Sequence, residues 1–171
     1  DLRRSRGLGD VYKRQVRNLA DVDTLAPEFG EQKRVLIIGG GYIGLEAAAV
    51  AAQRGLNVTL VEMANRILQR VAAPQTSDYF RTLHASHGVE IKEGVSLVKL
   101  MGNDGVVSRA ELSDGTKLEI DFAIVGVGVF PVTDIAADAG LSISDGISVN
   151  SLGRTSDPVS YTHLTLPTSY A

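Results

Sequence analysis

The chain has 171 residues, about the size of one domain, with 44% hydrophobic and 22% charged residues, a net charge of −3, 18 Gly and no Cys. This composition excludes disordered and fibrous classes, and the missing cysteines remove disulfide scaffolds, thiolate–zinc sites and cysteine nucleophiles from this stretch. No apolar run approaches the roughly 20 residues that a membrane helix needs, and the basic N-terminus has no apolar region behind it as a secretory signal would, so a cytoplasmic protein without a membrane partner is expected.

The first segment, residues 1–15 (DLRRSRGLGDVYKRQ), carries five cations against two aspartates, and the last, residues 159–171 (VSYTHLTLPTSYA), carries no Asp, Glu, Lys or Arg. Both strings resemble translated adapter sequence and are read as non-native tails. The remainder, 16–158, keeps 12 of the 17 basic and 18 of the 20 acidic residues, a net −6. An acidic body argues against nucleic acid as a partner.

From residue 31 the elements follow in order. Polar Glu31–Arg34 gives way to Val35–Ile38, a continuous apolar run that suits a parallel strand buried on both faces. Tyr42–Arg54 reads as a helix whose many alanines allow close approach to a sheet, ended by Gly55. Val58–Val61 is the second strand and closes at Glu62, completing a βαβ unit. Residues 73–86 read as a further helix with Tyr79, Phe80 and Leu83 on its apolar side. Three alternating segments near 89–100, 106–112 and 116–120, separated by Asn103-Asp104-Gly105 and Asp114-Gly115, predict an antiparallel meander. A buried strand at 122–127, a helix at 133–139 and a short strand near 147–149 complete the chain. The fold class is therefore α/β: a Rossmann-like, doubly wound parallel sheet with an appended antiparallel β-meander.

Between the first strand and helix stands Gly39-Gly40-Gly41-Tyr42-Ile43-Gly44, which matches G-x-G-x-x-G at 39, 41 and 44. Gly39 serves the tight turn, Gly41 the approach of a pyrophosphate to the backbone, and Gly44 the packing of helix on strand. The helix N-terminus, with the backbone N–H groups of Tyr42 and Ile43 beside the glycines, offers donors and a positive dipole end to phosphates. Glu62, 23 residues after Gly39, is placed to accept hydrogen bonds from the adenosine ribose and to repel a 2′-phosphate. NADH is therefore favoured over NADPH. Arg66 and Arg70, which follow on the adenosine side, temper that preference. His84 and His87 have a ligand-like i, i+3 spacing, but no third ligand is near in sequence, so no metal site is expected.

These residues carry a resemblance to a known family. The strings RVLIIGGGYIGLEAAA, VTLVEMANRIL, LSDGTKLEIDFAIVGVGVFP and DGISVNSLGRTSDP resemble the NAD(H)-binding domain of FAD-dependent pyridine nucleotide oxidoreductases, in the ferredoxin and rubredoxin reductase branch. The resemblance implies a domain, 16–158, inserted within an FAD domain. It implies that Glu46 is catalytic, helping to position a lysine and the nicotinamide at the flavin, and that Glu62 and Arg70 contact the adenosine ribose. Gly126 and Gly128 resemble the family's second glycine pair on the nicotinamide side, while Val132 stands where the family commonly has Asn. The implied activity is hydride transfer from NADH to FAD, followed by electron delivery to an iron–sulfur partner, a ferredoxin or rubredoxin. The FAD glycine fingerprint is missing, so a fragment without turnover is expected, a module that only binds NAD(H). A relative of NADH oxidases or coenzyme A-disulfide reductases is the other alternative, whereas the lack of Cys speaks against the thioredoxin reductase branch.

Overall fold

A computed structural model describes residues 15–160. The first element, α1 (Leu19–Leu25), has no counterpart in the hydrophobic pattern, because none of its residues is buried. Its N-terminus is held instead by a capping box: Asn18 accepts from the Asp21 N–H at 3.1 Å, and the Asp21 carboxylate accepts from the N–H groups of Arg17 and Asn18 at 2.7 and 2.9 Å. These backbone donors, Asn18 foremost, hold the Asp21 carboxyl below its usual range.

The chain then builds β1 (Arg34–Ile38), α2 (Tyr42–Gln53), β2 (Asn57–Glu62), α3 (Pro74–Ser86) and β3 (Glu90–Glu93). Next come β4 (Leu97–Asn103), β5 (Val106–Leu112), β6 (Lys117–Glu119) and β7 (Phe122–Val125). Four strands form one parallel sheet in the order β3-β2-β1-β7, and β4-β5-β6 form a separate antiparallel sheet. β1 is central and wholly apolar after Arg34 because both of its faces are covered. Val35 and Ile37, with Val58 and Leu60 of β2, pack on the alanine face of α2 (Ala48, Ala51). Leu36 and Ile38, with Val61, pack on Leu100, Ala110 and Leu112 of the antiparallel sheet. Helices thus cover one face and the meander covers the other, since burial requires only an apolar layer and not a helical one. Each fully buried branched side chain in these layers contributes about 1.5–3 kcal/mol.

One expected segment divides. The stretch 89–100 is not a single arm of the meander: β3 pairs in parallel with β2, Thr59 opposite Glu90 and Glu62 opposite Glu93, and only from Leu97 does the chain join the second sheet. Gly94, at φ 69°, makes the break, and the N–H groups of Gly94 and Val95 donate to the Ala64 and Glu62 carbonyls. Alternation in EIKEGVSLVKL fits both sheets equally and hides the change of partner. Tyr79 also departs from expectation, standing 64% exposed on α3 while Phe80 packs on the core.

At the end of the sheet remote from the strand carboxyl termini, Arg34 and Asp121 join β1 to β7. The Arg34 N–H donates to Asp121 Oδ2 at 2.7 Å, and its Nη2 donates to Oδ1 at 2.9 Å. Both contacts hold the Asp121 carboxyl below its usual range.

The chain divides after Val127 into two compact units. The second begins at Gly128 and contains α4 (Asp134–Asp138), β8 (Ile143–Ser144) and β9 (Gly146–Ile147). The strand expected near 147–149 is this two-residue hairpin, closed at Gly146 with φ 114°. Residues 1–14 and 161–171, nearly all of the expected tails, lie outside the described residues.

Candidate functional site

Strand order places β2 on one side of β1 and β7 on the other, the chain filling β2 and β3 first and returning through the antiparallel sheet to β7. The carboxyl ends of β1 and β7 therefore flank a topological switch point, where ligands bind in open parallel sheets. The glycine turn lies there. Gly39 has φ 109°, its N–H donates to the Val61 carbonyl at 2.9 Å, and a Cβ on it would run into the Gly126 carbonyl. A Cβ on Gly44 would run into the Gly39 carbonyl oxygen, so the first turn of α2 seats directly on the turn it leaves. These two glycines are demanded by the fold itself.

Gly41 and Gly126 are different. Gly41 is the N-cap of α2 at φ −80°, with no atom within 4 Å of the place a Cβ would occupy. A Cβ on Gly126 would make only ordinary contacts, the nearest at 3.8 Å to Ile43 and the Gly44 nitrogen. Neither the backbone nor the packing requires glycine at these two positions. Bareness there leaves room for something outside the protein. No side chain caps α2 at Gly41, so the first-turn N–H groups remain available to an anion. Tyr42 and Ile43 project outward, 53% and 71% exposed. Glu46 is exposed on the same helix, but as its fifth residue it lies beyond the first turn, so dipole stabilisation does not explain it.

At the end of β2 the Glu62 carboxylate is half-buried and anchored by two backbone donors. Oε2 accepts from the Gly40 N–H at 2.6 Å and Oε1 from the Ala64 N–H at 2.7 Å. Each oxygen keeps lone-pair capacity for a further donor. The residues between Met63 and Ala73 form an irregular loop that returns over the glycine turn. In it the Leu68 N–H donates to the Gly40 carbonyl at 2.9 Å, and Ile67 Cγ2 would lie 2.7 Å from a Cβ on Gly40. Gly40 is thus required by a contact with a distant loop, which the G-x-G-x-x-G pattern, treating it as any residue, cannot reveal. Leu68 itself sits at φ 55°, a left-handed conformation that costs a non-glycine residue about 1–3 kcal/mol, while its side chain is buried.

The two arginines of this loop part company. Arg66 turns inward, donating from Nη1 to Ser77 Oγ at 2.6 Å and from Nη2 to the carbonyls of Ala72 and Gln69 at 2.9 and 3.2 Å. Arg70 is exposed and makes no ion pair among the described residues. Of the second glycine pair, Gly126 flanks the turn, and Gly128, at φ 115° in open surroundings, belongs to the second unit. Its left-handed backbone is reason enough for glycine. His84 is buried with its ring nitrogens against the Phe80 and Leu45 carbonyls, tying α3 to α2, and His87 is exposed at the helix end. No group of three His, Asp or Glu side chains that could hold a metal ion occurs among the described residues, nor does a helix long and apolar enough to cross a membrane.

The sequence profile of the pyridine nucleotide-disulphide oxidoreductases matches residues 5–161. Among curated proteins, ferredoxin–NAD(P)(+) reductase fdr of a Sphingomonas species is 45% identical over 90% of this chain and 37% of its own length. Putidaredoxin reductase CamA of Pseudomonas putida is 37% identical over 85% of this chain and 35% of its own length. The chain therefore spans a little over a third of the length of these relatives. Among solved structures, the ferredoxin reductase for the CYP199A2 system of Rhodopseudomonas palustris superposes with a TM-score of 0.78 at 40% identity, over 88% of this chain and 37% of that one.

Proposed function

Because the chain belongs to the pyridine nucleotide-disulphide oxidoreductase family, we propose that residues 16–158 are the NADH-binding domain of a flavin-dependent reductase. The parent would pass hydride from NADH to FAD and then electrons to a ferredoxin or rubredoxin. The observation that carries the nucleotide reading is the open space at Gly41, on an uncapped helix N-terminus, beside an anchored carboxylate at the end of the next strand.

The residues divide the task along the nucleotide. Gly39 and Gly44 shape the turn, and Gly41 with the N–H groups of Tyr42, Ile43 and Gly44 receives the pyrophosphate. Glu62 accepts the adenosine ribose hydroxyls with the lone pairs that Gly40 and Ala64 leave free, and Arg70 lies on the same side. Gly126 leaves room on the nicotinamide side, toward which Glu46 contributes a carboxylate that positions the ring for transfer. FAD, when bound by the parent, supplies the conversion of a two-electron hydride into single electrons. What this chain contributes is binding and orientation.

The test is titration of the chain with NADH and NADPH by calorimetry, alongside Glu62→Ala. NADH is expected to bind more tightly than NADPH. The substitution is expected to weaken NADH by about ten- to a hundred-fold, the size of a lost charge-assisted hydrogen bond, and NADPH by less. Equal losses for the two nucleotides would remove the ribose assignment.

A further inference from the structure

Arg66 is the only cation in the 63–73 loop besides Arg70, and its guanidinium is taken up by partners within the protein. Its fork bridges three points: Ser77 in α3 and the Gln69 and Ala72 carbonyls of its own loop. Ser77, fully buried, passes the connection on by donating from Oγ to the Ile67 carbonyl at 2.6 Å. The other side of Ile67 is also fastened, its N–H donating to Glu93 Oε1 at 2.8 Å, with Glu93 in turn held by Arg81. Ile67 and Leu68 are therefore clamped from both directions, and they are the residues that press on Gly40 and hold its carbonyl. Gly40 N–H and Ala64 N–H, on either side of this contact, are the two donors that fix the Glu62 carboxylate. A chain of hydrogen bonds thus runs from a buried serine in α3 to the carboxylate at the ribose position.

We propose, resting on the nucleotide reading above, that Arg66 seated on Ser77 is a positioning residue that sets the choice of NADH over NADPH. A carboxylate fixed by two backbone donors cannot rotate away from a 2′-phosphate, so the repulsion stays in force. With the clamp loosened, Ala64 and Gly40 move independently, the carboxylate gains freedom to turn aside, and the 2′-phosphate meets less repulsion. Arg66 acts here as a brace, and its charge does not meet the nucleotide.

The experiment measures dissociation constants of the full chain for NADH and for NADPH by calorimetry, with thermal melts of the nucleotide-free proteins. The variants are Arg66→Met, Arg66→Lys and Ser77→Ala. Arg66→Met is expected to weaken NADH by about tenfold while NADPH changes by less than about threefold, so that the preference narrows. Arg66→Lys, whose single ammonium cannot serve three acceptors in a plane, is expected to narrow it part of the way with little change in Tm. Ser77→Ala is expected to fall beside Arg66→Lys. Should all three variants keep the wild-type ratio of the two constants, whatever happens to Tm, the brace is structural only and the proposal is overturned. A wild-type chain that binds neither nucleotide would instead overturn the nucleotide reading itself.

Discussion

Two irregular segments leave neighbouring parallel strands at the same end of the sheet, and they are built on opposite principles. After β1 the turn 39–44 is shaped by missing side chains: Gly39 and Gly44 touch backbone where a Cβ would collide. After β2 the loop 63–73 is shaped by side chains that are present, with Arg66, Ser77 and Glu93 each binding backbone groups of the loop. The first is rigid because little else fits. The second is rigid because three polar residues hold it. The bare segment can place its own N–H groups against a phosphate, and the braced one can hold a neighbour, Gly40 and Glu62, in place.

On this contrast, glycines within one motif respond differently to the same substitution. Gly44→Ala is expected to have the largest effect, since the new methyl meets the Gly39 carbonyl and α2 must move off the strand. Overpacking against backbone at about 3 kcal/mol lowers Tm by about 10 °C in a chain of this size and removes nucleotide binding with it. Thermal melts followed by circular dichroism would measure this, and a Tm within 2 °C of wild type would contradict the packing role.

Gly41→Ala sharpens the same comparison from the other side. Its φ of −80° and open surroundings suit alanine, so Tm is expected to hold within about 2 °C, the ordinary range for an unstrained surface change. NADH affinity is expected to fall by about tenfold or more as the methyl crowds the pyrophosphate. Unchanged affinity in calorimetry would mean that the open space serves no ligand.

The smallest effect is expected far from both segments, at Asp121. Because Arg34 lowers this carboxyl in the folded chain, its contribution is present above the unfolded value of about 3.9 and is lost as pH falls through the lower folded value. The pair is half-exposed, so Asp121→Asn should lower Tm by only about 1–2 °C at pH 7. Melts at pH values below the lowered folded value should bring variant and wild type together. A gap that widens with acid would have the wrong sign. Nucleotide affinity should not change, since the pair lies at the opposite strand ends.

The βαβ unit was legible because its signals are local. Four apolar residues, a glycine run, an alanine-rich helix and a strand closing on an acid occupy consecutive positions, and the structure has β1, α2 and β2 at nearly those bounds. The hairpin turns at 103–105 and 114–115 were legible for the same reason. Helix α1 escaped because it has no fully buried residue and only Leu25 packs partly on the core, although the Asn18/Asp21 capping pair was there to be read. β3 escaped because alternation does not say which strand will be the partner.

In the site, sequence alone determined which residues cluster at the strand ends: Gly39, Gly41, Gly44 and Glu62 are set by spacing within one supersecondary unit. Tertiary structure decided which of them the fold itself demands. It separated glycines that backbone contacts demand from those left bare, made Gly40 as constrained as its neighbours, and turned Arg66 from a candidate nucleotide contact into an internal brace. Those distinctions depend on contacts between segments far apart in the chain, such as Ile67 on Gly40, Ser77 under Arg66 and Gly126 against Gly39. Spacing along one segment carries no record of such contacts, because they exist only once the sheet and α3 have brought the segments together.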